Sequence, residues 1–295
     1  MLSVLIPVYN YDVTKLVAAI HNQCLESKID FEIICIDDKS EKFVSENQKI
    51  TAYNHASYQI LNENIGRSAI RNLLAKKAVY ENLLFLDADI APVSTNFISK
   101  YISEINETQR VIYGGILYEN KKPSSENLLR WIYGKKREAL QVSERIKNPS
   151  RLALVSNLVI KKEIVCRFPF DESIIKYGYE DLLFFSVLKA NHIEIIHVEN
   201  PVYHLNLETS KVFLAKTKTA LENLVFLSDS NKITKDQSKI KASFLLLKKL
   251  RLVSFFVFLF KKTEMKIEKN LTSESPSLFL FDLYKLGYYC TLKTI

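Results

Sequence analysis

Leu83-Leu84-Phe85-Leu86-Asp87-Ala88-Asp89 is the stretch that decides how this chain is read. So short a run of leucine and phenylalanine reads as a buried strand. Ionised carboxylates are too costly to bury unpaired, so Asp87 and Asp89 belong at the strand's end, open to solvent or to a cation. In an extended segment residues two apart point to the same side, which brings both carboxylates to one small volume. Like charges that close repel unless something positive lies between them. A hard divalent cation with oxygen ligands is the natural occupant, and a diphosphate is its usual second partner. An acidic turn after a strand uses the same residues, and a triplet this short does not separate the two readings.

Outward from that strand the first half alternates apolar runs with helical spacing. Residues 4–8 and 32–36 read as two more strands, and residues 11–24 and 64–77 as helices, the second entered through Asn64-Ile65-Gly66. Strands separated by helices predict an α/β fold with a parallel, helix-covered sheet. In such sheets ligands bind beyond the carboxyl ends of the strands. Polar residues fall at all three ends: Tyr9-Asn10, Asp37-Asp38, and Asp87 with Asp89. Further on, the spacing predicts a strand over 111–117 broken by Gly114-Gly115, and one over 153–160 interrupted by Ser156-Asn157. It also predicts an apolar helix over 182–188, a strand over 193–198 and a helix over 211–227.

Composition is that of a globular protein: 295 residues, 47% hydrophobic, 25% charged, with 6 glycines and 7 prolines. Cys24, Cys35, Cys166 and Cys290 have no metal or redox spacing, which fits a reducing, cytosolic setting. No charged leader precedes Ser3-Val4-Leu5-Ile6-Pro7, so no signal peptide is expected. The net charge of +8 is local: residues 239–270 hold nine basic residues against Glu264 and Glu268. Nucleic acid is therefore not an expected partner. Residues 244–260 are mostly Leu, Phe and Val, interrupted by Lys248, Lys249 and Arg251, too few and too charged to span a bilayer. They read as an amphipathic helix in an anionic membrane interface, or else as a helix packed on the catalytic domain with its lysines in water.

The ordered motifs resemble the inverting family 2 glycosyltransferases with the GT-A fold, which implies a mixed, mostly parallel central sheet with helices on both faces. The motifs are Ser3 to Asn10, Ile36-Asp37-Asp38-Lys39-Ser40, Asn64 to Asn72, Leu86-Asp87-Ala88-Asp89 and Gly178-Tyr179-Glu180-Asp181. The resemblance spans about residues 1–210 and implies a catalytic domain over 1–230, with a nucleotide-binding half (1–110) and an acceptor half (111–230). A basic, aromatic helical region over 231–295 follows. The activity implied is metal-dependent transfer from a nucleotide-diphosphate sugar, expected to be a UDP-sugar, to a hydroxyl of a glycan or lipid-linked acceptor. Cell-surface polysaccharide synthesis at the inner face of the membrane is the implied setting.

Carried over residue by residue, the resemblance implies that Asp38 receives the nucleobase, with Pro7 and Tyr9 lining its pocket. Gly66, Arg67 and Arg71 would serve the nucleotide, although surface ion pairing is an equal reading for Arg71. Asp87 would act through the ribose, and Asp89 would bind Mn²⁺ or Mg²⁺ directly, with His204 as a further ligand. A lone histidine is as often structural. Asp181 would be the base and Glu180 would position the acceptor; an acidic helix cap fits both as well. Trp131 and Tyr133 would stack on an acceptor sugar, where core packing is the alternative. A non-catalytic nucleotide-sugar-binding scaffold of the same fold is the rival reading.

Overall fold

The computed structural model describes residues 1–105 and 110–294. Residues 106–109, in the expected nucleotide-binding half, and residue 295, in the expected tail, lie outside the described residues. The strands, in chain order, are β1 (Leu2–Val8), β2 (Phe31–Asp37), β3 (Ala56–Ile60), β4 (Asn82–Leu86) and β5 (Ile90–Pro92), then β6 (Arg110–Tyr113), β7 (Ile116–Leu117), β8 (Asn157–Lys161), β9 (Glu194–His197) and β10 (Val202–His204).

Seven of them make one sheet in the order β3-β2-β1-β4-β8-β6-β9, and β5-β10-β7 make a second. β1 pairs in parallel with β2 and β4, and β2 with β3. β8 runs against both β4 and β6, which makes the sheet mixed. The expected α/β class is therefore observed. β1 and β4 are mostly apolar and almost wholly buried, as strands covered on both faces must be. Among the five residues of β3 only Tyr58 is buried, so this edge strand lacked the apolar run that marks its neighbours.

The helices Thr14–Glu26 and Gly66–Lys77 follow β1 and β3, each starting slightly later than its spacing predicts. The expected strand over 111–117 is two strands in different sheets. Gly115 between them has φ +99°, and a Cβ there would come within 2.8 Å of the Arg145 guanidinium. The strand expected from residue 153 begins only at Asn157.

The chain falls into two compact units that interleave in sequence. The first comprises Met1–Glu119, Glu138–Ile175 and Val187–Asn206, and contains both sheets; the second comprises Asn120–Arg137, Lys176–Ser186 and Leu207–Ile295. The boundary expected near residue 230 falls inside the second unit.

The second unit is helical, with long helices Ser210–Asp229, Val253–Leu271 and Leu278–Leu292 around Phe213, Phe260, Phe281 and Tyr284. Lys218 pairs with Glu264 and Glu268, and the Tyr284 hydroxyl donates to Glu268 at 2.6 Å. The single amphipathic helix expected over 244–260 does not form. The chain breaks between helices Lys239–Lys249 and Val253–Leu271, with Arg251 in the left-handed region at φ 57°. Phe244, Val257 and Phe260 of that stretch are buried within this unit. Among the described residues no helix is long and apolar enough to cross a membrane.

Candidate active site

Parallel pairing in register brings the carboxyl ends of β1, β2 and β4 to the same edge of the first unit's sheet. Beyond Val8 the chain turns through Asn10, whose φ of 51° is left-handed. Its backbone N–H donates to Ser40 Oγ at 2.7 Å, and its Oδ1 accepts from the N–H groups of Glu41 and Lys42. The ends of β1 and β2 are thus stapled together, while the ring of Tyr9 is left 57% exposed.

Asp37 and Asp38 separate in role. Asp37 is fully buried and accepts from the Tyr58 hydroxyl at 2.5 Å and from Ser40 N–H at 2.6 Å, which makes it part of the turn. Asp38 accepts from the backbone N–H groups of Ile65 (2.7 Å) and Gly66 (3.0 Å), and so ties the strand end to the entrance of the Gly66–Lys77 helix. Gly66 has φ +82°, which favours glycine. Burial pushes the Asp38 carboxyl above its usual range, and these neutral donors only partly oppose it.

Asp87 is held differently. Arg71 Nη2 lies 3.0 Å from Asp87 Oδ1, and Arg67 Nη2 3.8 Å from Oδ2. Burial alone would push this carboxyl up, but Arg71 and Arg67 together outweigh it and hold it below the usual carboxylate range. Arg71 is not the surface residue that its spacing also allowed: it is 2% exposed, with its guanidinium 5.6 Å from the ring centre of Phe170. Arg67 is half exposed at the helix mouth.

The chain turns at Ala88-Asp89. Asp87 faces the arginines, and His204 also helps to lower its carboxyl. Asp89 meets His204: antiparallel pairing of β5 with β10 sets His204 opposite Ile90, and Leu205 N–H donates to the Asp89 carbonyl at 2.8 Å. His204 Nε2 lies 3.6 Å from Asp89 Oδ2. The imidazole stacks on Tyr118 at 5.3 Å, and Tyr118 in turn hydrogen-bonds Glu138. No group of three or more His, Cys, Asp or Glu placed to hold a metal occurs among the described residues. One oxygen and one nitrogen at this separation suit adjacent positions around one ion whose other ligands come from substrate or water.

In the second unit Glu180 and Asp181 open the helix Glu180–Ala190, with Glu180 buried. Anionic side chains are favoured there by the unpaired N–H groups of a helix start. The preceding turn is left-handed twice, at Gly178 (φ 99°) and Tyr179 (φ 69°), and a non-glycine residue there is strained. One side chain ties the backbone of the approach at three carbonyls. Asn223 Nδ2, from the Ser210–Asp229 helix, donates to the carbonyls of Lys176 (2.7 Å), Tyr177 (3.1 Å) and Gly178 (3.0 Å). A Cβ on Gly178 would sit 2.5 Å from Ala220 Cβ of that helix.

Trp131 and Tyr133 lie on the helix Leu128–Arg137. Lys135 Nζ stands 4.9 Å from the Trp131 ring centre, whereas Tyr133 packs into the aromatic cluster with Phe213 and Phe281. The expected residues thus sort by unit. Pro7, Tyr9, Asp38, Gly66, Arg67, Arg71, Asp87, Asp89 and His204 are in the first, and Trp131, Tyr133, Glu180 and Asp181 in the second. The spacing did not point to Tyr118, Asn223 or the Asn10 staple. The Tyr9-Asn10 pair at a strand end was a signal for the staple; nothing local marks the other two.

Sheet order and strand-end chemistry define a GT-A-like α/β domain. The chain belongs to glycosyl transferase family 2, whose pattern matches residues 3–165. Over 87 residues it is 36% identical to an uncharacterized glycosyltransferase of Rickettsia felis, a stretch that is 30% of this chain and 14% of that relative. Its fold is similar to S. aureus TarS 1-349, with TM-score 0.53, 18% identity, and coverage of 99% of this chain and 90% of the other. The same fragment in complex with UDP matches at TM-score 0.52 and 16% identity, with coverage again of 99% and 90%. The chain spans 38% of the longer S. aureus TarS chain, matching at TM-score 0.50 and 19% identity over 74% of its own length.

Proposed function

We propose that the protein is an inverting, metal-dependent glycosyltransferase that moves a sugar from a nucleotide diphosphate to a hydroxyl of a glycan or lipid-linked acceptor. The observation that carries this reading is the shared sheet edge, where Tyr9, Asp38 and the arginine-held Asp87 follow three parallel strands and the Asp89–His204 pair lies just beyond. In this reading Tyr9 offers its exposed ring face to the base, with Pro7 beside it in the chain. Asp38 accepts from the base with the lone pairs that Ile65 and Gly66 leave free. Asp87 takes the ribose, and Arg67, at the mouth of its helix, takes phosphate by a forked contact. That the similar TarS fragment has been crystallised with UDP supports uridine as the nucleoside.

Asp89 and His204 would hold Mn²⁺ or Mg²⁺, and imidazole favours Mn²⁺. The ion's contribution is to neutralise charge on the departing diphosphate. Asp181 takes the proton from the acceptor hydroxyl as its oxygen bonds to the anomeric carbon from the face opposite the leaving group. The bond from that carbon to the diphosphate oxygen breaks, and the nucleoside diphosphate leaves with the electron pair. Glu180, buried beside Asp181, positions the acceptor. In this reading the setting is synthesis of a cell-surface polysaccharide at the inner face of the membrane.

Titration calorimetry with UDP, with and without Mn²⁺, alongside turnover across a panel of nucleotide sugars, tests this reading. UDP binding that tightens with Mn²⁺ and weakens on His204→Ala, with turnover of at least one donor, is expected. Tight binding with no turnover of any donor would make the protein a scaffold instead.

A further inference from the structure

The helix Val253–Leu271 is apolar on two faces in its first turns. Val257 and Phe260 are buried in the second unit, while Phe255 and Phe258 on another face are 60% and 52% exposed. A helix that is hydrophobic all round is ordinarily buried all round. Here one face has no cover within the unit. Exposed Leu246, Leu250 and Leu252 continue that surface through the break between this helix and Lys239–Lys249. Seven of the chain's exposed large hydrophobic residues fall between 245 and 259, far too dense to be incidental surface leucines.

The charges around this tip select its partner. Lys248, Lys249, Arg251, Lys261 and Lys262 border it, and no acidic residue occurs from Lys239 to Lys262. Lys262 Nζ lies 4.3 Å from the centre of the Phe258 ring, so cation and aromatic share one surface. A second copy docked on this face would set like charges against one another. Exposed Phe and Leu side chains framed by lysine and arginine match the boundary of an anionic bilayer, with acyl chains below and phosphate headgroups above.

We propose that the two-helix tip around Leu250-Arg251-Leu252 inserts into the headgroup layer of anionic membranes. Leu246, Leu250, Leu252, Phe255 and Phe258 enter the acyl boundary, and the five cations stay at phosphate level. The proposal replaces the single interfacial helix expected from sequence with a wedge formed by a break. It does not depend on the catalytic reading.

Sedimentation of the full chain with vesicles, in the absence of donor, tests it. Equimolar phosphatidylglycerol and phosphatidylcholine vesicles should bind the protein, and pure phosphatidylcholine vesicles should not. Salt should weaken the binding. Reversing Lys248, Lys249 and Arg251 to Glu should weaken it by roughly a hundredfold or more, at the usual worth of a basic residue near an anionic surface. Phe255→Ser with Phe258→Ser should weaken it while leaving the circular dichroism spectrum unchanged, since both side chains are exposed. No binding to the anionic vesicles overturns the proposal, as does equal binding to both compositions. Concentration-dependent self-association that Phe255→Ser abolishes would assign the face to a second copy and overturn it too. UDP binding, measured on the same samples, reports on the donor site separately.

Discussion

The carboxylates at the sheet edge of the first unit and those at the helix start of the second are mounted in opposite ways. Asp38 and Asp87 are occupied by the protein itself, the one by two backbone N–H groups and the other by two guanidinia. Their positions are over-determined before any ligand arrives, as a binding surface requires. Glu180 and Asp181 follow two left-handed residues and a turn that Asn223 holds by three carbonyls. The edge is built for rigidity. The helix start stores backbone strain, which is tolerated where surrounding contacts enforce it and is common where chemistry occurs.

The largest effect should come from the strained side. Asp181→Asn keeps size and helix start but cannot take a proton; transfer should fall by roughly a thousandfold, within the range for a positioned general base. Donor affinity in calorimetry should be unchanged. Wild-type turnover in this variant would remove the base from the second unit. The next effect belongs to the edge. Arg71→Ala removes the closest partner of Asp87 and empties the space over Phe170, and should cost about 3 kcal/mol of stability in urea unfolding. Adding Asp87→Asn should recover part of that loss, because coupled partners do not add. If Arg71→Ala unfolds with wild-type stability, the edge is not clamped as described.

How much of this was legible in the sequence follows the same division. β1, β2 and β4 are mostly apolar, and the residues after each were readable because strand ends carry polar groups out of the core. β3 was missed because an edge strand with one buried residue looks like a loop. The Asp87-Ala88-Asp89 triplet was placed correctly at a strand end. What the triplet did not reveal is that the nearest partners differ, Arg71 for Asp87 and His204 for Asp89, while His204 also acts on Asp87. Arg71 shares a helix face with Arg67 in sequence, yet its burial depends on Phe170, a hundred residues away in the chain. Asn223 carries no local sign at all, because its role is defined by the three carbonyls it meets. The break at Arg251 was hidden in the same way: residues 244–260 are apolar throughout, and hydropathy does not register one left-handed residue.

Asn223 gives a smaller effect that sharpens the comparison. Asn223→Ala frees the Lys176, Tyr177 and Gly178 carbonyls and lets the turn before Glu180 relax. Turnover should drop about tenfold, the scale expected when a positioning contact behind a reacting group is lost. UDP affinity, which belongs to the first unit, should be unchanged. Asn223→Gln, which keeps the amide, should recover part of the rate if the donated hydrogen bonds are what matters. A variant that lost UDP affinity and turnover equally would show that the two sets of carboxylates are not mounted independently.

The smallest effect separates the two aspartates of the edge itself. Burial raises the Asp38 carboxyl, so on acidification the folded chain takes up that proton before the unfolded one does. Folding at this site is therefore favoured as pH falls toward the ordinary carboxylate range. Asp87 is held below that range by Arg71 and Arg67. Its contribution is complete above the unfolded value and is lost as pH falls through the folded one. Urea midpoints measured from neutral pH into acid should accordingly diverge in the two variants. Asp87→Asn should flatten the acid-side fall, because the proton that breaks the arginine clamp has no site left. Asp38→Asn should make the fall begin at higher pH, because the opposing gain is gone. Parallel curves for both variants would mean that neutral N–H donors and guanidinia hold these carboxylates equally well, and the contrast between them would fail.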